Sequence, residues 1–183
     1  MKTRQILTLL AIVILGMMLC TACSSGTSDE YPDLGGAGLD EIVEVTVPHG
    51  YSEAEGGGGS FLPTGECIGR SWGSEDGTGE IDAGILVYDG DPVMAGPATL
   101  EELIGDQDAE IVEYNGNRFY VVSGFSDENN VEDSALTAYV EYDKYILSFD
   151  ITSDRALTKA QKDVFHDMLR SVRFAADRNG TEE

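Results

Sequence analysis

Residues 135–152 read ALTAYVEY, DK and YILSFDIT in succession, and this stretch gives the clearest indication of the fold class. From Leu136 to Tyr142 every second residue is apolar, which is the period-two pattern of a half-buried strand. The dipeptide Asp143-Lys144 then separates two β-rich runs, as a tight hairpin connection does. The stretch therefore predicts two long antiparallel strands, at 135–142 and 145–152.

A second hairpin precedes this pair and a helix follows it. Asn115-Gly116, the strongest short hairpin signal, separates predicted strands at 110–114 and 118–125. Further on, Thr158 and Gln161 have capping-box spacing, which marks the start of a helix. The apolar residues of this segment fall on one helical stripe: Val164, Phe165, Met168, Leu169 and Val172. The sequence thus predicts a C-terminal amphipathic helix, with Phe174 after it packed against the sheet.

Two further strands are predicted upstream. Residues 42–47 are rich in β-branched side chains and end at Pro48, which predicts the first strand of the domain. Residues 81–88 predict the next strand. The stretch from 50 to 79 is rich in glycine and is the least regular part of the domain, so we expect loops there.

A short helix is predicted between these strands and the first hairpin. Thr99 and Glu102 have capping-box spacing, and Gly105 is a natural C-cap. The elements together predict one α+β domain over 41–174. Its antiparallel sheet has five or six strands, a short middle helix and a C-terminal amphipathic helix.

The order of these elements resembles a known family. The run VTVP at 45–48, the hairpin at 115–116, the run YILSF at 145–149 and the ending MLRSVRF at 168–174 are similar to the PsbP-like α/β/α sandwich, which many small bacterial lipoproteins carry. The resemblance implies a scaffolding or binding role and brings no shared catalytic residues. A cystatin-like arrangement is the alternative.

The chain begins with the pattern of an export signal. Lys2 and Arg4 form a short cationic region, and residues 6–19 are almost wholly apolar. This apolar run is shorter than the ~20 residues that a membrane-spanning helix needs. It therefore predicts a signal peptide rather than a transmembrane anchor.

The residues after the apolar run resemble the lipobox of a bacterial lipoprotein precursor. Positions 19–26 read LCTACSSG, with small Thr and Ala directly before Cys23. Cys20 departs from the pattern, because the family usually has Leu there. The resemblance implies that residues 1–22 are a signal peptide and that Cys23 is lipidated, which places the protein on the extracytoplasmic face of the cell membrane, with the lipid bilayer as a partner. An ordinary secretory signal cut near Ala22 is the alternative.

Two polar segments flank the predicted domain. Residues 23–40 are rich in Ser, Gly, Asp and Thr, which predicts a flexible tether, and 175–183 predicts a polar tail. Cys67 is the only cysteine within the domain, so we expect no disulfide and an inert thiol.

The charge of the chain is strongly negative and unevenly distributed. Asp and Glu number 34 against 11 Lys and Arg, for a formal net charge of −23, which argues against binding to nucleic acid. Residues 41–133 contain 21 acids but only Arg70 and Arg118 as cations, whereas 134–174 contain six of each. Such a surface favours a basic protein partner or a cation, and solubility alone is the other interpretation.

One motif suggests catalysis. Residues 69–73 read GRSWG and match G-x-S-x-G. Ser71, an Asp and His166 could then form the catalytic triad of an extracytoplasmic serine hydrolase. That motif needs a strand, a sharp turn and then a helix, but the residues that follow, SEDGTG, do not favour a helix. We therefore expect a non-catalytic binding or scaffolding module, with the hydrolase as the alternative.

Metal and cofactor sites are not predicted. The acidic run at 126–133 offers the oxygen ligands that Ca²⁺ prefers, namely Asp127, Glu128, Asn129, Glu132 and Asp133. It lacks the EF-hand pattern, so a solvated loop is the interpretation we adopt. A further alternative, a small-molecule carrier, would need an apolar pocket of at least ~300 Å³ between sheet and helix.

Overall fold

Long antiparallel strands form the centre of the structure, a computed structural model that describes residues 31–54, 59–124 and 131–175. All of these residues belong to one unit, which begins at Tyr31. The elements in chain order are α1 (Leu39–Ile42), β1 (Val43–Glu44), β2 (Tyr51–Glu53), β3 (Gly69–Ser74), β4 (Gly79–Tyr88), β5 (Asp91–Pro92), α2 (Leu100–Ile104), β6 (Glu110–Tyr114), β7 (Asn117–Gly124), β8 (Ala135–Tyr142), β9 (Tyr145–Ser153), α3 (Lys159–Ser171) and β10 (Arg173–Phe174).

The strands form one large sheet and one small pair, all antiparallel. The large sheet has eight strands: seven lie in the order β2-β3-β4-β9-β8-β7-β6, and β5 pairs with the end of β4. Strands β1 and β10 pair separately. The α+β class is confirmed, as are both hairpins, the middle helix α2 and the C-terminal helix α3. The expected count of five or six strands is too low.

Two of the additional strands come from the glycine-rich stretch in which we expected loops. Strand β3 pairs with β4 over five positions, from Gly69 opposite Gly84 to Gly73 opposite Glu80. A Cβ atom on Gly69 or Gly84 would lie 3.2 Å from a backbone oxygen, so these glycines let the segments approach closely. Backbone hydrogen bonds to β4 hold this strand, and its side chains do not alternate between apolar and polar. The period-two pattern used to predict strands therefore does not reveal it.

The predicted first strand at 42–47 is largely wrong. Residues 39–42 form the one-turn helix α1, and only Val43 and Glu44 belong to a strand. Leu39 and Ile42 lie three residues apart, and both are buried. Burial of this pair on one side of a helical turn outweighs the local preference of β-branched residues for a strand.

The folded part also begins earlier than the predicted boundary at residue 41. Leu34 and Leu39 are 1% and 2% exposed, although both fall within the predicted tether 23–40. The backbone N–H of Leu39 donates to the carbonyl of Cys67 at 2.8 Å, which fixes this segment to the body of the domain. Two isolated leucines in a polar stretch are enough to anchor it.

Helix α3 covers one face of the sheet, which we term the covered face. The strand residues on this face are apolar and share one core with the helix: Ile81, Ala83, Ile85, Leu136, Ala138, Leu147, Phe149 and Ile151. Phe165, Met168 and Leu169 of α3 are at most 1% exposed, as the predicted stripe requires. The capping box of Thr158 and Gln161 is formed.

The opposite side of the strands, which we term the second face, is defined by Ser71, Asp82, Thr137, Ser148 and Asp150. These residues alternate with core residues along β3, β4, β8 and β9. Toward the far end of β4 the second face becomes apolar, and Ala98 and Thr99 before α2 line a cleft there together with Val87 and Ile146. The segment before α2 therefore lies over this end of the face.

Within the described ranges, none of the helices combines the length and the apolar character needed to cross a bilayer.

Candidate functional site

Two carboxylates lie side by side on the second face. Asp82 of β4 and Asp150 of β9 are directly opposite each other in the strand register. Their chain neighbours Ile81 and Phe149 are fully buried in the core, so strand alternation turns both aspartates to the other face. Directly opposed residues have Cβ atoms about 5 Å apart, and like charges there are destabilising.

Hydroxyl groups from the flanking strands complete a polar row. The Ser71 hydroxyl on β3 donates to the Asp82 carboxylate. The Thr137 hydroxyl on β8 donates to Asp150 at 2.5 Å, and Ser148 provides a further hydrogen bond to Asp150. The row therefore crosses four neighbouring strands, with the two carboxylates at its centre.

Burial controls the protonation of this pair. Desolvation raises the pKa of Asp150 to about 6, because it disfavours the charged form. The hydrogen bonds from Thr137 and Ser148 lower this pKa, and the nearby Asp82 raises it. Burial also raises the pKa of Asp82, against the hydrogen bond from Ser71.

A groove of about 260 Å³ lies beside Asp82. Its lining combines the polar Ser71, Asp82 and Ser148 with the apolar Leu86 and Met94. Met94 is 56% exposed, which is unusual for a large apolar side chain and makes it accessible at the edge of the groove. The groove thus offers one carboxylate, hydroxyls and an apolar wall.

The cations of the acidic region are engaged away from this pair. Arg70 pairs with Ala83 in the register, which places it on the covered side, where it bonds Asp40 and lies 3.3 Å from Glu53. Arg118 lies 3.1 Å from Glu113, with both side chains more than half exposed. Among the ion pairs of the described residues, none includes Asp82 or Asp150.

The structure does not bring Ser71 and His166 together. Ser71 lies on the second face and bonds Asp82. His166 belongs to α3 on the covered side, where its Nδ1 atom lies 3.2 Å from the Tyr114 hydroxyl. A nucleophile and its base must come within hydrogen-bond reach, and here the sheet lies between them.

The predicted metal loop is only partly described. Asp127, Glu128 and Asn129 lie outside the described residues, whereas Glu132 and Asp133 are exposed. Over the ranges that the structure covers, no group of three or more His, Cys, Asp or Glu side chains could hold a metal ion. Cys23, the predicted signal peptide and residues 176–183 also lie outside the described part.

A cleft of about 400 Å³ bears on the carrier alternative. It lies between β3 and the segment of α1 and β1, rather than between the sheet and α3. Trp72 and Val43 contribute apolar lining, but Asp40, Glu53 and Arg70 also line it. The charged lining distinguishes this cleft from the apolar pocket that a carrier needs.

The carboxylate pair was missed by the sequence analysis. The available signal was a single acid between apolar residues of a predicted strand, as in Ile81-Asp82-Ala83 and Phe149-Asp150-Ile151. That signal places each aspartate on a polar face. It does not reveal that β4 and β9 are neighbours, nor that their register aligns the two.

Comparisons with known proteins give a structural likeness. Neither a family model nor a curated protein matches the chain. A similar solved structure is the solution structure of cyanobacterial PsbP (CyanoP) from Synechocystis sp. PCC 6803, at 14% sequence identity and a TM-score of 0.44, covering 84% of this chain and 99% of that one. It belongs to the family that the residue pattern resembles, and a likeness of this extent carries no conclusion about function.

Proposed function

We propose that this protein is a lipid-anchored extracytoplasmic module that binds or scaffolds a basic protein partner and performs no catalysis. The observation that supports the proposal best is the charge imbalance of residues 41–133, which contain 21 acids and two cations. Arg70 and Arg118 both form ion pairs with acids of the same region, namely Glu53 and Glu113. The region therefore carries a large surplus of negative charge.

Part of this surplus is presented to solvent on one continuous segment. From the end of α2 to the first residue of β6 the chain carries Asp106, Asp108 and Glu110, all exposed, and Glu101 of α2 is also exposed. Their side chains take part in none of the ion pairs of the described residues. A single-sign surface of this kind attracts partners of opposite charge and repels anionic lipid headgroups.

We expect the acidic surface to increase the association rate of the partner more than it slows dissociation. Exposed charges steer a partner over distances comparable to the Debye length, which is about 10 Å at 0.1 M salt and shorter above that. Binding should therefore weaken severalfold between about 0.05 and 0.5 M salt, mainly through the association rate.

Two variants that each remove three negative charges test whether binding depends on the position of the acids or only on net charge. The first variant combines Asp106→Asn, Asp108→Asn and Glu110→Gln; the second combines Asp154→Asn, Asp163→Asn and Asp167→Asn in the balanced region. We expect the first to lose cross-linking to its partner in intact membranes and the second to retain it. Equal losses would mean that only net charge matters, and binding unchanged by either variant or by salt would reject the proposal.

The anchor requires its own test. Cys23→Ser should leave unlipidated precursor or soluble protein, because stable residence at a bilayer depends on burying more than one acyl chain at ~0.8 kcal/mol per methylene. The measurement is membrane fractionation combined with intact-protein mass. Cys67→Ser is the matched control and should remain lipidated and membrane-bound. A Cys23→Ser protein with wild-type mass and full membrane association would contradict the lipid anchor.

The non-catalytic part of the proposal is supported by the placement of the one motif that suggested chemistry. Ser71 and His166 lie on opposite sides of the sheet, and each has a different hydrogen-bond partner. The arrangement of the second face fits binding better, since it combines hydroxyls and carboxylates beside an exposed groove.

A further inference from the structure

The Asp82–Asp150 pair has a placement that an ordinary surface pair lacks. Strands β4 and β9 are neighbours in the middle of the large sheet and share the longest register of the fold, from Gly79 opposite Ser153 to Tyr88 opposite Tyr145. The two aspartates lie inside this ladder, not at its ends. Any repulsion between them acts across the pairing that holds the two halves of the sheet together.

The groups that face the pair supply hydroxyls and acids. From β3 comes Ser71; from β4, Glu80 lies one step along the same face; from β8 come Thr137 and Tyr139. Ser148 of β9 bonds Asp150.

Charged groups lie further out on this face. Glu141 of β8 and Arg118 of β7 are exposed, and Arg118 is paired with Glu113. Within the described residues, no Lys or Arg forms an ion pair with either aspartate.

From this geometry we infer that Asp82 and Asp150 are a proton-binding switch, which takes up one proton in mildly acidic conditions and ties the stability of the domain to pH. With a proton on Asp150, one of the two opposed charges is removed from the central ladder. Without it, two carboxylates face each other across β4 and β9, and the hydroxyls of Ser71, Thr137 and Ser148 bond them.

The direction of the pH dependence follows from linkage. The pKa of Asp150 is raised from 3.8 to about 6 in the folded protein, so the folded state holds more protons than the unfolded state between these values. Stability from this group is therefore fully present below about pH 4 and is lost as the pH rises through about 6. Over the full titration, from well below pH 4 to well above pH 6, the unfolding equilibrium constant rises by about a hundredfold through this group alone.

The test compares the wild-type full-length chain with Asp150→Asn, which keeps the shape of the side chain and removes its charge. Urea unfolding is measured from pH 4 to pH 7.5. We expect the two proteins to have similar stability at pH 4 and the variant to be more stable at pH 7.5, with the ratio of unfolding constants changing by about a hundredfold. A ratio that stays within about threefold across this range would overturn the switch.

Two further measurements separate the pair from a general acid effect. Asp108→Asn, in an exposed loop, removes the same charge and is the control; a ratio that follows that of Asp150→Asn across the pH range would overturn the assignment to the pair. Carbon NMR of the wild-type carboxyls, which needs no variant to fold, should show Asp150 titrating above about pH 5, and a midpoint below 4.5 would overturn it. Asp82→Asn should move that midpoint downward, and no movement would mean that the two do not act together.

Discussion

The covered face and the second face are built from the same strands, yet they hold opposite kinds of side chain. At the same level of β4 and β9, Ile81 and Phe149 are fully buried under α3, whereas Asp82 and Asp150 point to the other side. A single-residue step along each strand thus separates the core from two carboxylates whose pKa is raised by burial. One face therefore stabilises the fold, and the other is available for polar chemistry.

This division is not merely one of burial. Asp150 is held among strand side chains closely enough for its pKa to rise, so the second face is partly desolvated as well. Desolvated acids in a central position cost stability unless a proton or a cation compensates them. A domain without a disulfide among its described residues depends on the covered face to offset that cost.

The greatest predicted loss of stability comes from removing a buried side chain on the covered face. Leu169 of α3 is fully buried against the sheet, so Leu169→Ala should lower the free energy of unfolding by ~2–5 kcal/mol. In a marginally stable domain such a loss approaches complete unfolding. Urea unfolding followed by circular dichroism measures it.

The matched control is the same substitution in α2. Leu103 of α2 is only partly buried, and none of the residues of α2 is fully buried, so Leu103→Ala should cost clearly less than Leu169→Ala. If the two variants lose equal stability, the comparison between the faces fails. A loss below half a kcal/mol for Leu169→Ala would mean that α3 does not cover the core.

The elements that the sequence predicts correctly are those specified by local chemistry. Asn115-Gly116 sets the turn between β6 and β7, with both residues at positive φ. The capping box of Thr158 and Gln161 marks the start of α3, and the Thr99 hydroxyl accepts the backbone N–H of Glu102 at 3.2 Å to begin α2. In each of these cases a few adjacent residues contain the whole signal.

The elements that it misses depend on partners far away in the chain. Strand β3 exists because its backbone pairs with β4 at the Gly69–Gly84 contact, and α1 exists because Leu39 and Ile42 are buried in the core. The carboxylate pair is of the same kind, since it depends on the register of β4 against β9. Local pattern cannot supply a register between strands that are distant in sequence.

The mildest substitution removes a single hydrogen bond from the second face. Ser71→Ala removes the hydroxyl that bonds Asp82, and water can replace it because Asp82 is only partly buried. The free energy of unfolding at pH 7 should fall by only about 0.5–1 kcal/mol, whereas the pKa of Asp82 should rise, since that hydrogen bond lowers it. Carbon NMR of the Asp82 carboxyl reads the second change directly. Ser52→Ala, at an exposed position on β2, is the control and should alter neither quantity.

Ester hydrolysis should be absent from the wild type and from both variants. A rate that disappears in both Ser71→Ala and His166→Ala would instead support the hydrolase and contradict the separation of these two residues by the sheet.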